Sequence, residues 1–144
     1  MFSKEDSKKI RQEFWTSFGK SFPRKWILYN TGIKGFALKF HFDTKKAFVS
    51  LDIESDLEKR IQYWEKLIAL KSIFIDDYVP NAVYEETCLL ENGKEISRIS
   101  VKLESKVSIH NKNTWQETME FFNKTMNKFE SFFEDYKELI KIFN

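Results

Sequence analysis

Two runs of strict alternation stand out along the chain. In FALKFHF, Phe36, Leu38, Phe40 and Phe42 alternate with small or polar residues, and in AFVSLDI, Ala47, Val49, Leu51 and Ile53 do the same. Period two is the signature of half-buried strands. With Thr44-Lys45 as the hairpin tip, 42 faces 47, 40 faces 49, 38 faces 51 and 36 faces 53. All eight apolar residues then share one face, and a one-residue slip would expose four of them.

Helical spacing governs other segments. Ser3 with Asp6 resembles a capping arrangement, and Ile10, Phe14 and Phe18 recur one turn apart, so the pattern predicts a first helix over 3–20, with Gly19 near its end. Pro23 resists continuation, and Trp26 to Tyr29 read as a short strand before the Asn30-Thr31-Gly32 turn. Ser55 with Glu58 predicts the cap of a second helix, whose Leu57, Ile61, Trp64, Leu67 and Ile68 form an apolar stripe to about residue 75. Asp76, Asp77 and Pro80 end it. A second hairpin follows, AVYEETCLL and EISRISVKLESK, joined at Asn92-Gly93.

The chain closes with a long helix predicted from about 113 to 143. Trp115, Met119, Phe122, Met126, Phe129, Phe133, Tyr136, Ile140 and Phe143 follow a 4-3 spacing. This pattern suits either a coiled-coil seam or a helix laid over a sheet. Its length of about 45 Å barely exceeds the roughly 37 Å diameter of a domain this size. Seams favour Leu, Ile and Val, whereas here Phe121, Phe132 and Leu139 widen the stripe, which favours packing within the molecule. Dimerisation through remaining aromatic surface is the alternative. These elements predict one α+β domain over 1–144: an antiparallel sheet of four to five strands built from two hairpins, packed by an N-terminal helix, a middle helix and a long C-terminal helix.

Composition supports an ordered chain with an aromatic core: 42% of its 144 residues are apolar, 32% are charged, and there are fifteen Phe and four Trp. A lone Cys88 cannot make an internal disulfide, and with His41 and His110 it cannot complete a four-ligand zinc cluster. No apolar run reaches signal-peptide or membrane-span length. A cytoplasmic protein with no membrane partner is expected. The net charge of +2 is uneven: residues 1–50 hold eleven Lys and Arg against four Asp and Glu, and residues 51–144 hold thirteen against eighteen. An anionic partner at the N-terminal part is permitted.

Two constellations could carry function. Glu104-Ser105-Lys106 has the E-x-K spacing that ends a strand in many metal-dependent nucleases, which also need a carboxylate on the preceding strand. With Asn92-Gly93 as the turn, Glu91 faces Lys94, Ser100 faces Glu85 and Glu104 faces Asn81. Arg98, Ser100, Lys102, Glu104 and Lys106 then share the polar face with Glu85, while Ile99, Val101 and Leu103 take the other. A solvated strand face explains this pattern as well as a site built from Glu85, Glu104 and Lys106 does. The second constellation is KSFPRKWILY, where Lys20, Arg24 and Lys25 interleave with Phe22, Trp26 and Tyr29. Cations beside aromatics suit single-stranded nucleic acid, and the same aromatics would equally anchor the segment to the core.

Other features carry less. FGKSF lacks the upstream glycine of a phosphate loop and follows a helix rather than a strand. His41 projects opposite the Phe face beside Phe48, in the place of a packing histidine, and neither His110 nor Cys88 has an orienting carboxylate.

FWTSFG (14–19), NTGIKG (30–35), ENGKEISRI (91–99) and SIHNKNTWQE (108–117) occur in this order in a bacterial family, and the chain resembles that family, the domain of unknown function numbered forty-two sixty-eight. Members stand alone or follow a part resembling a restriction endonuclease. The resemblance therefore implies association with nucleic-acid processing, and it brings no catalytic residue or cofactor. No further nuclease-like part is expected within these 144 residues. The expectation is a non-catalytic binding or interaction module, for nucleic acid through Lys20, Arg24, Lys25 and Trp26, or for another protein or itself through the last helix. The alternative is a divergent metal-dependent nuclease.

Overall fold

A computed structural model describes residues 3–141. Helix α1 (Lys4–Ser21) is followed by strands β1 (Phe36–Phe42) and β2 (Ala47–Ile53), helices α2 (Leu57–Ala69) and α3 (Lys71–Asp77), strands β3 (Val83–Leu89) and β4 (Glu95–Lys102), a short turn of 3-10 helix and helix α4 (Trp115–Ile140). The fold is α+β, as the patterns require. Four antiparallel strands lie in the order β1-β2-β4-β3, so the two hairpins meet along β2 and β4.

The first hairpin has the register dictated by its alternation, with Phe36 opposite Ile53 and Phe42 opposite Ala47. The apolar face of the whole sheet receives the helices. Phe14 and Phe18 of α1 meet Phe42 and Phe40, Tyr63 of α2 meets Phe36, and Phe74 of α3 meets Tyr84. On α4, Trp115, Met119, Phe122, Met126, Phe129, Phe132, Phe133 and Ile140 are buried in the same core. The long helix is thus packed on its own sheet; Phe143 lies outside the described residues. Ser3 and Asp6 form the predicted reciprocal cap of α1. No helix among the described residues is long and apolar enough to cross a membrane.

Six expectations are corrected. Trp26 to Tyr29 form no strand: Leu28 has φ 47, outside the extended region, and Asn30 N–H donates to Ile27 O across a turn (2.8 Å). The second helix is capped by Asp56, whose carboxylate accepts from Lys59 N, because the Ser55 hydroxyl donates instead to Lys34 O. That helix also breaks at Leu70, and it is rotated: Tyr63, Trp64 and Leu67 face the core, while Leu57, Ile61 and Ile68 face outward.

The second hairpin has a different register. Leu90 and Lys94 close a three-residue loop in which, of its members, only Gly93 has positive φ, so Asn92-Gly93 is not a two-residue turn. A bulge between Glu85 and Cys88 shifts the ladder once more. Glu85 therefore pairs with Arg98, and Val83 with Ser100. Two one-residue shifts restore the parity, so Glu85 still shares a face with Arg98, Ser100 and Lys102. Finally, β4 stops at Lys102. Leu103 N–H donates to Ala47 O, at the first residue of β2, so no ladder remains for Glu104 and Lys106.

Candidate nucleic-acid interface

The segment after α1 is tied down by its own charges. The Arg24 guanidinium stacks over the Trp26 ring at 4.0 Å and donates to Asn127 and to the buried carboxylate of Glu130, whose other oxygen accepts from Ile27 N (2.6 Å). Trp26 in turn stacks parallel to Phe18 and meets the edge of Phe40. Arg24 and Trp26 thus clamp the segment onto α4 and α1, while Lys20 and Lys25 project from it, exposed. The positive φ of Leu28 then turns the chain so that Tyr29 stands 70% exposed. A branched-off side chain in this region is strained, and such strain persists only where the surroundings enforce it.

The next residues, Thr31 to Gly35, form a loop locked onto the corner between β2 and α2. The buried Thr31 hydroxyl accepts from Ile33 N (3.1 Å) and donates to Phe36 O (2.8 Å). Glu54 N donates to Gly35 O at 2.6 Å, and Gly35 has φ 75 with its Cα against Ser55, where a Cβ would lie 2.7 Å from Oγ. Only glycine fits this approach. The loop brings Lys34 to one concavity with Lys59 from the first turn of α2, Lys94 from the β3–β4 loop and Lys141 from just beyond α4, around a volume of about 740 Å³. Four cations from four distant segments face two carboxylates there, and both are engaged. Glu54 holds Lys39 (2.7 Å) and Lys94 (3.5 Å), while Asp56 caps α2. The Lys39 hydrogen bond holds the Glu54 carboxyl below its ordinary range. Among the described residues, neither Lys34 nor Lys59 has a carboxylate within 4 Å. Lys39 also lies over the Tyr29 ring at 5.7 Å, which places that exposed aromatic beside the same concavity.

The uncovered face of the sheet holds a second polar cluster. Asp52, fully buried, accepts two hydrogen bonds from Arg98 (2.8 and 2.9 Å) and lies 3.4 Å from Lys39. Burial pushes the Asp52 carboxyl up, but Arg98, with help from Ser50 and Lys39, holds it below the usual carboxylate value. His41 stacks on Phe48 (4.0 Å between centroids), meets Ser50 Oγ at 3.0 Å, and is pushed down to about 4 by burial and by the Arg98 charge. A serine, a histidine and an aspartate are therefore close together. Ser50 is fully buried, however, and the carboxylate serves Arg98, so no accessible nucleophile results.

The nuclease candidates lie apart. Glu85 pairs with Arg98, and the strand from Arg98 to its end at Lys102 already spans about 13 Å before Glu104 and Lys106, both exposed, are reached. Among the described residues no three His, Cys, Asp or Glu side chains are grouped to hold a metal ion. His110 meets Ser7 through Nε2 (3.1 Å), and burial raises the Cys88 thiol. The sequence singled out the basic segment but missed the convergence of Lys34, Lys59, Lys94 and Lys141; the two glycines of NTGIKG were the available signal of a tight approach.

The family model for the domain of unknown function DUF4268 matches residues 10–137. The chain belongs to this family. No curated protein and no solved structure matches it. The stretches NTGIKG and ENGKEISRI, which carried the resemblance, supply the locked loop and the hairpin tip that border the four-lysine concavity of this DUF4268 domain.

Proposed function

We propose that the chain is a non-catalytic binding module for nucleic acid, holding the phosphate backbone at the concavity formed by Lys34, Lys59, Lys94 and Lys141, with Tyr29 available for stacking on a base. One observation carries this reading: four lysines from four chain segments line one cleft, and while Lys94 pairs with Glu54 and Lys141 with Glu138, Lys34 and Lys59 have no carboxylate within 4 Å among the described residues. Juxtaposed like charges are unfavourable, and an anion relieves that cost. Phosphates of a single strand supply it in series.

Fluorescence anisotropy with labelled single-stranded DNA, duplex DNA and RNA tests the proposal. Neutralising about three phosphates of a single strand gives a salt slope near −2, so affinity should fall about twentyfold between 50 and 200 mM salt. The double variant Lys34→Glu/Lys59→Glu should lose at least tenfold, and Tyr29→Ala a few-fold on single strands only. Lys25→Glu isolates the basic segment without disturbing the Arg24 clamp. Unchanged affinity in the folded Lys34/Lys59 variant removes the concavity as the site. Probe fragmentation in Mg²⁺ that disappears in Glu104→Gln would make the chain a nuclease instead.

A further inference from the structure

The apolar arc of helix α2 is wider than the core covers. Tyr63, Trp64 and Leu67 enter the core, while Leu57, Ile61 and Ile68 remain 61%, 45% and 44% exposed. Their spacing of four and seven places these three within about 40° of one another on the helix surface, as one continuous stripe. About 60–80° further round stand Glu58 and Glu65, both exposed, and among the described residues neither lies within 4 Å of a cation. These three continue the arc of Trp64 and Leu67 past the edge of the core, and a row of branched aliphatics left open there beside an unpaired acidic row marks a contact surface.

We propose that this outer face of α2 docks an amphipathic helix of a partner protein, with an aliphatic spine against Leu57, Ile61 and Ile68 and Lys or Arg along the flank that meets Glu58 and Glu65. The charge pattern chooses this occupant over a second copy of the chain. In a two-fold antiparallel pairing of α2 with itself, each flank meets its own counterpart, so Glu58 would oppose Glu65 of the other copy. A basic flank removes that repulsion and uses both carboxylates. The proposal does not depend on nucleic-acid binding, since the stripe and the four-lysine concavity are separate residue sets.

The test uses two synthetic fluorescent peptides of about 18 residues, both with a leucine spine, one with lysine and one with glutamate along the flank. The lysine peptide should bind with a dissociation constant on the order of 10 µM and at least tenfold tighter than its twin. Ile61→Asp should weaken it about tenfold or more while leaving the thermal midpoint unchanged, and Glu58→Lys/Glu65→Lys should reverse the preference between the peptides. The reversal is independent of any folding defect in Ile61→Asp. Equal binding of the two peptides, no binding, or binding indifferent to both variants overturns the proposal. So does a wild-type dimer in ultracentrifugation that Ile61→Asp converts to monomer, which would place a second copy on the stripe.

Discussion

On the covered face of the sheet, Phe122 reaches six other rings, those of Phe14, Trp15, Phe18, Phe40, Phe42 and Phe121, at 5.0 to 6.2 Å between centroids. On the open face, Asp52 is just as buried, but what encloses it is Arg98, Lys39 and the stacked pair His41 and Phe48. The covered face gains stability from apolar area summed over many non-directional contacts. The open face depends on a few directional ones, because a buried carboxylate is tolerable only while its cation stays in place. Within one sheet, the same strand β2 therefore contributes to stability in two different ways, alternating residue by residue.

The largest effect should come from breaking the covered face. Phe122→Ala removes the ring on which α1, β1 and α4 converge and should cost about 3–5 kcal/mol in urea denaturation. A loss below about 1 kcal/mol would mean that the ring cluster collapses to fill the space. Next comes Arg98→Met, which strands the Asp52 carboxylate and should cost about 3 kcal/mol, less than a fully isolated charge because Lys39 remains 3.4 Å away. Asp52→Leu/Arg98→Met should recover most of that loss. Should the double variant be no more stable than the single one, the open face is held by shape rather than by charge.

The smallest effect sharpens the contrast through pH. His41 is depressed in the folded state from the ordinary 6.5 to about 4, so between those values the unfolded chain binds the extra proton. Its contribution is fully present above pH 6.5 and is lost as pH falls toward 4. Urea midpoints at pH 7.5 and 4.5 should fall together less steeply in His41→Gln than in the wild type. Asp52, held below its ordinary 3.8, loses its contribution only at lower pH. The two groups thus separate into successive windows.

The first hairpin was legible because eight apolar residues demanded a single register. The second was not. Its polar face imposed no such demand, and the Asn92-Gly93 signal pointed to a turn that the loop closed by Leu90 and Lys94 replaces. The α2 stripe was legible only in part: Trp64 and Leu67 enter the core as expected, but Tyr63 joins them while Leu57, Ile61 and Ile68 stay exposed, because hydrophobic periodicity cannot fix which edge of a wide apolar arc the core covers. At the candidate site, Lys20, Arg24, Lys25 and Trp26 were visible as a local run, whereas the cations that converge lie at 34, 59, 94 and 141.

Local order was written in the residues: the α1 cap, the alternating hairpin, the glycines of NTGIKG and the 4-3 stripe of α4 depend on neighbours a few positions away, and their physics is contained in the sequence. Burial of Asp52 beside Arg98, the clamp of Arg24 on Glu130, the outward turn of the α2 stripe and the meeting of four lysines required the assembled molecule. Each joins groups that only packing brings within a few ångströms, where charge and desolvation first take effect.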